Sequence, residues 1–270
     1  MPWTRRELIA DSYGTERVLL AGDSAHQLSP TGGFGMNTGI QEAVDLSWKL
    51  AARLEGWGGE ALIASYEVER RPVAARNVAE AAGNLARMLS PREQRPPPEI
   101  FLPGAAGDAA RRDFGARFTA TMRREWFTLG IQLGYRYEYS PICIPDGTPA
   151  PPDETEIYTP TARPGHRAPH AWLGPGRSTL DLFGRGFTLL RFGARPVDMR
   201  ALEGAAADRA VPLRGCDVRD EAVEALYERR LVLVRPDGHV AWRGDEVPAN
   251  PHEVIDKVRG AGDRGQLRVA

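Results

Sequence analysis

The sequence predicts an α/β protein in two parts: a short strand, a glycine-rich loop and long helices, then a small α/β layer domain. Three observations predict it. The apolar run Arg17-Val18-Leu19-Leu20-Ala21-Gly22 leads through turn-forming residues into helical spacing. Turn signals dominate 141–169, including Pro145-Asp146-Gly147 and Pro164-Gly165, and place a boundary between 1–155 and 156–270. Beyond it the pattern runs strand, helix, strand-turn-strand, helix.

The elements follow in order. A continuous apolar run ended by Gly22 reads as a short buried strand. Residues 23–34 form a loop rich in Pro and Gly. Ile40, Val44, Leu46, Leu50 and Leu54 predict a helix over 37–54, ended by Gly56-Trp57-Gly58-Gly59. A helical stretch starts at Glu60, and Pro72 is expected to open a separate helix to about Leu89. Arg95-Pro96-Pro97-Pro98 reads as a stiff linker. Phe114, Phe118, Met122, Trp126 and Leu129 predict a core-packed helix within 108–132. In the second part, 179–182 and 187–192 read as strands and 220–229 as a helix. Leu231–Val234 and Val240–Arg243 flank a Pro236-Asp237-Gly238 turn, and a helix spans 251–258. Tyr135, Tyr137 and Tyr139 are expected to pack in the core or on the surface rather than line a pocket.

Composition narrows the function. The chain has 270 residues, 42% hydrophobic and 26% charged, as expected of a soluble globular protein. A net charge of −1 speaks against a general nucleic-acid binder. Only Lys49 and Lys257 are lysines, so paired arginines are discounted as phosphate signals. Cys143 and Cys216 form no CxxC, and neither a disulfide framework nor a metal site is expected. The start, Met1 to Glu7, has no apolar leader segment, and no run approaches the ~20 apolar residues of a membrane span. The expectation is a cytoplasmic protein.

The chemistry concentrates in residues 21–39. Asp23, directly after the expected strand, sits where open α/β sheets place ligands. As an acceptor it suits a hydroxyl-rich ligand. Gly32, Gly33 and Gly35 let backbone approach a flat molecule. The helix that follows points free N–H groups and a positive dipole end at an anion or an electron-rich ring edge. Other readings compete. Gly33, Gly35 and Gly39 nearly make a GxGxxG loop, but Thr38 occupies the third glycine position. Asp23, Ser24 and His26 suggest a hydrolase or cofactor-free acid/base chemistry, yet no G-x-S-x-G elbow exists. His26 lacks a second metal ligand at suitable spacing. A purely structural loop is the remaining alternative.

The run Gly22-Asp23-Ser24-Ala25-His26, Pro30, Gly32-Gly33-Phe34-Gly35-Met36-Asn37-Thr38-Gly39 resembles the second flavin-binding motif of FAD-dependent aromatic hydroxylases of the p-hydroxybenzoate hydroxylase type. Its likeness is greatest to the polyketide and phenol branch. Asp45-Leu46, Trp48-Lys49-Leu50 and Ser65–Pro72 continue it, as do Pro164–His170, Ser178–Leu182 and Leu233–Gly238. The resemblance implies a partial FAD-binding domain over 1–155 and a thioredoxin-like domain without CxxC over 156–270. It implies that Asp23 bonds the ribityl chain of FAD. Gly22, Pro30, Gly32, Gly33, Gly35, Met36 and Asn37 would line the flavin. NAD(P)H would be the reductant and an aromatic phenol or polyketide the substrate; no catalytic residue is named. Relatives also carry a strand-GxGxxG-helix for the ADP half of FAD, which these residues lack. The chain is therefore expected to be an incomplete hydroxylase, to work with a separate N-terminal half, or to be a flavin-free homologue serving as an assembly module or cofactor-independent enzyme. A homodimer is a further expectation.

Overall fold

The computed structural model describes residues 4–15, 17–90 and 95–262. Residues 1–3, used in reading the N-terminus, lie outside them. The chain divides into two compact units, one of Met1–Ile40, Ala74–Gln132 and Glu154–Tyr158, the other of Gln41–Val73, Leu133–Asp153 and Thr159–Ala270. No helix among the described residues is long and apolar enough to cross a membrane.

In the first unit, β1 (Leu8–Ile9) pairs antiparallel with β2 (His26–Gln27). The strand expected over 17–22 does not form. Leu19 makes only an isolated bridge to Gly14, and Val18 is exposed. The segment folds back on its own turn instead: the Thr15 N–H donates to the Val18 carbonyl and the Leu20 N–H to the Tyr13 carbonyl. A run becomes a sheet strand only when a neighbouring edge takes its backbone groups.

Helix α1 spans Phe34–Leu54 and starts one turn earlier than its apolar spacing indicates. Helix α2 runs unbroken over Glu60–Met88 with Pro72 inside it, so no new helix opens at Pro72. Glu69, Arg70, Val73 and Ala74 beside the proline are all buried, and that burial offsets the lost hydrogen bond. Helix α3 covers Gly104–Trp126, and the short α4 covers Leu129–Gln132. The expected core packing of α3 is overturned. Gly107 is its buried residue, while Trp126 is 75% exposed. Phe114 and Phe118 stack on each other, centroids 6.0 Å apart. Phe34, Ala81 and Ile131 form a small core in this unit.

The second unit is built on a four-stranded sheet: β5 (Phe187–Phe192), β6 (Leu213–Val218), β7 (Leu231–Val234) and β8 (Val240–Gly244). Their order is β6-β5-β7-β8, with β5 and β6 parallel and the other pairs antiparallel. Helices α5 (Arg200–Asp208), α6 (Glu221–Tyr227) and α7 (Pro251–Val258) complete a β-α-β-α-β-β-α course. That is the thioredoxin arrangement expected from the resemblance. Period-two side chains cover both faces. Leu189, Leu231 and Leu233 join one core with Trp48, Trp57 and Ile255, while Leu190, Val232 and Val234 join another with Val223 and Tyr227. Residues 179–182 form a 3₁₀ turn rather than a strand. Ser178 accepts from the Leu180 N–H, and Asp181 from the Ser178 N–H; this capping favours a helical turn. The short pair β3 (Trp172–Gly174) and β4 (Arg177–Ser178) precedes it.

Candidate functional site: the 22–38 loop

Local chemistry fixes the first corner. Gly22 has φ +62° and opens a 3₁₀ turn over Gly22–Ser24. The Ser24 hydroxyl donates to the Ala21 carbonyl at 2.8 Å, and the Ala25 N–H donates to the Gly22 carbonyl at 2.8 Å. The Ser24 side chain is therefore committed to the turn. His26 is buried in β2, whereas Asp23 is exposed. The structure thus does not gather Asp23, Ser24 and His26 into a hydrolytic triad. No hydrogen bond to the Asp23 side chain occurs among the described residues.

A second turn follows, in which the Gly33 N–H donates to the Pro30 carbonyl at 3.1 Å. Gly32 and Gly33 have φ of +83° and +67°. Added Cβ atoms at Gly33 or Gly35 would meet nothing within 4 Å, so that side of the backbone is open. Helix α1 begins at Phe34, which is buried, while Met36 and Asn37 are exposed. Asn37 Nδ2 donates to the Gly33 carbonyl at 2.8 Å and pins the helix start. The first corner packs on α1 at a glycine: a Cβ on Gly39 would lie 3.1 Å from Gly22 Cα. The predicted residues Gly22, Asp23, Pro30, Gly32, Gly33, Gly35, Met36 and Asn37 thus belong to two turns and one helix start within the first unit.

This donor set fits a polyol joined to a flat, electron-rich ring. An exposed carboxylate accepts from hydroxyls, and bare glycine backbone admits a planar face. The first turn of α1 offers N–H groups with no intrahelical partner.

Further motif residues meet in the second unit. Lys49 Nζ lies 2.8 Å from Asp45 and 2.6 Å from Glu69. The Arg235 guanidinium lies 2.6 Å from Glu69, 3.1 Å from Asp45 and 2.5 Å from Asp237. All five are buried, and Arg235 also lies over the Trp48 and Tyr137 rings at 5.3 and 5.0 Å. Burial pushes the Asp45 carboxyl up to about 8, against the pull of Lys49. Burial pushes Glu69 up too, but Arg235 and Lys49 outweigh it and hold Glu69 at about 2. These residues are motif members in the sequence, but their joining into one network has no local signal, since the pairs lie up to 190 positions apart. Tyr135 and Tyr137 are buried as expected, and Tyr139 is 84% exposed.

Residues 1–81 match the family described as "FAD binding domain", and 161–261 match "Aromatic-ring hydroxylase, C-terminal". The putative polyketide hydroxylase of Streptomyces coelicolor is 36% identical over 96% of this chain and 52% of its own length. In both matched stretches the chain is similar to the FAD-dependent aromatic-ring hydroxylases. The FAD-dependent monooxygenase apdD of Emericella nidulans is 39% identical over 91% of this chain and 41% of its own. Among solved structures, native and K252c-bound RebC-10x superposes with a TM-score of 0.87 at 50% identity, covering 96% of this chain and 49% of that one. The flavin-dependent monooxygenase PieE in complex with FAD and substrate gives 0.81 at 32% identity, covering 96% and 50%. The chain therefore spans about half the length of the relatives it matches, between 41% and 52% among the curated ones.

Proposed function

We propose that the 22–37 loop holds the ribityl chain and ring of FAD in an NAD(P)H-dependent monooxygenase that hydroxylates an aromatic phenol or polyketide. One observation carries the reading: Asp23 is exposed with no side-chain hydrogen bond among the described residues, and the same short loop brings an open backbone at Gly33 and Gly35 and the start of α1. In this reading Asp23 accepts hydrogen bonds from ribityl hydroxyls. Gly32, Gly33 and Gly35 lie against the ring, with Gly22, Pro30, Met36 and Asn37 bounding it. When bound and reduced, FAD supplies oxygen transfer to an activated aromatic ring. The first-turn N–H groups of α1 stabilise negative charge at the ring edge by ~0.3–1 kcal/mol when exposed, and up to ~2 when partly buried.

The domain boundary is placed near 155, with 156–270 as a redox-silent thioredoxin-like domain. Cys216 there has no neighbouring cysteine in sequence. Met36, Ile40 and Val44 are exposed at four-residue spacing along α1, at 74%, 53% and 49%. An apolar stripe of this kind calls for a cover. We assign it to an ADP-binding half of the FAD domain as its partner.

The test is reconstitution. The 270-residue chain is mixed with the N-terminal half of the S. coelicolor relative, FAD, NAD(P)H and a panel of phenols and aromatic polyketides. A hydroxylated product that requires both polypeptides and gains one oxygen atom from O₂ by mass spectrometry is expected. A stable complex that binds FAD, consumes NAD(P)H and never hydroxylates any ring contradicts the assigned reaction.

A further inference from the structure

Helix α2 presents Asn77, Ala81 and Asn84 at i, i+4 and i+7, the spacing of one helical face. All three meet the 29–38 loop within the first unit. Asn77 Nδ2 donates to Thr38 Oγ1 at 2.8 Å, and Thr38 Oγ1 donates to the Phe34 carbonyl at 2.7 Å. Thr31 Oγ1 donates to the Ala81 carbonyl at 2.7 Å, with Ser29 Oγ 3.1 Å away. Asn84 Nδ2 lies 3.0 Å from the point where a Gly32 Cβ would stand, and its oxygen accepts from Arg87. Asn77 and Asn84 are 4% and 1% exposed, and Thr38 is 1% exposed.

Each contact reaches a different part of the loop: its first turn, its positive-φ glycine, and the first turn of α1. Buried amides are uncommon where nothing needs them. Asn77 Oδ1 and Asn84 Nδ2 each lack a hydrogen-bond partner among the described residues, so packing or pairing alone does not explain both side chains. Leucine has the same branching and no polar atom to leave unpaired.

We infer that Asn77 and Asn84 are positioning residues for the flavin: acting through Thr38 and Gly32, they set the backbone of the loop and the direction of the first-turn N–H groups of α1. The inference rests on the FAD reading given above. Asn77 orients the Thr38 hydroxyl, which in turn holds the Phe34 carbonyl. Asn84 bounds the space behind Gly32 together with the Phe34 ring, two of whose carbons lie 2.7 Å from the same point, and backs that turn from the α2 side.

The experiment uses the full 270-residue chain as wild type, Thr38→Val, Thr38→Ser, Asn77→Leu and Asn84→Leu. FAD affinity is read by fluorescence titration and ring environment by visible circular dichroism of bound FAD. Loop protection is read by hydrogen exchange of 30–38 without FAD. Thr38→Val is nearly isosteric and tests the relay even if a leucine variant fails to fold. The expected result is weaker FAD binding by about five- to tenfold in Thr38→Val and Asn77→Leu, the size of one lost hydrogen bond. An altered dichroism band and faster exchange at 34–38 accompany it. Thr38→Ser, which keeps the hydroxyl, restores all three to within about twofold. Asn84→Leu is expected to change the dichroism and speed exchange at 30–33. Wild-type affinity, dichroism and exchange in the folded variants overturn the inference while leaving the FAD reading intact. Absence of any FAD binding by the wild type overturns both.

Discussion

Asp23 and Gly39 divide the work of the proposed site between chemistry and space. Asp23 makes no hydrogen bond within the described protein, so the fold does not depend on its carboxylate. Asp23→Ala is expected to leave the thermal midpoint within about 2 °C, as for an ordinary surface substitution. FAD affinity should fall at least about tenfold, since a charge-assisted hydrogen bond is lost. Calorimetry and an FAD titration on the same sample check both halves. Gly39→Ala makes the converse case. Its new methyl carbon would sit 3.1 Å from Gly22 Cα, so the turn carrying Asp23 must give way by a few tenths of an ångström. Weaker FAD binding with the Asp23 carboxylate intact is expected. Unchanged binding would mean that the spacing between the Gly22 turn and α1 is irrelevant to the ligand.

At the scale of elements, the buried charge network ties α1, α2 and the β7–β8 turn together within the second unit. Removing Arg235 leaves Asp45, Glu69 and Asp237 buried with Lys49 as the remaining network cation. Arg235→Met is expected to destabilise the protein by about 3–5 kcal/mol, the usual cost of stranding buried charge. Denaturant unfolding measures it, and a loss below about 1 kcal/mol would show the network to be dispensable. A second ion pair predicts acid sensitivity. Burial raises Asp146, but hydrogen bonds from Thr148 and Arg243 outweigh it and hold Asp146 at about 2. Its folded value lies below its unfolded one. The stability it contributes is therefore present above the ordinary carboxylate range and is lost as pH falls from about 4 to about 2. Arg243→Gln should flatten that part of a stability–pH curve, and an unchanged slope would count against the pair.

These same elements show what was legible. β5, β7, β8 and α7 were readable because apolar repeats and the Pro236-Asp237-Gly238 turn are local signals. β6 carries no apolar run because Leu213–Val218 is a sheet edge, with only Val218 buried. Pro72 reads as a helix breaker by propensity, and only burial on both sides of it accounts for the unbroken α2. The loop of 22–37 was legible as a whole, since its turns and helix start are adjacent in sequence. Its bracing by Asn77 and Asn84 was not, because those contacts join segments about 40 to 50 residues apart.

For the molecule as a whole, each unit has its own core, and together they span half the length of the curated relatives. The exposed apolar side of α1, with Met36, Ile40 and Val44, is where the proposed ADP-binding partner is tested. Ile40→Glu should weaken association with an ADP-binding half without reducing the chain's own stability, because Ile40 is 53% exposed. Pull-down against the S. coelicolor half, with a melting curve alongside, checks this. The most direct test of the central claim is titration of FAD into the purified 270-residue chain, followed by flavin fluorescence and the visible spectrum, with Asp23→Ala in parallel. The account predicts a saturable spectral change in the wild type that is lost or strongly weakened in the variant. A wild-type chain that is folded and gives no saturable change, or a variant that binds equally well, would contradict it.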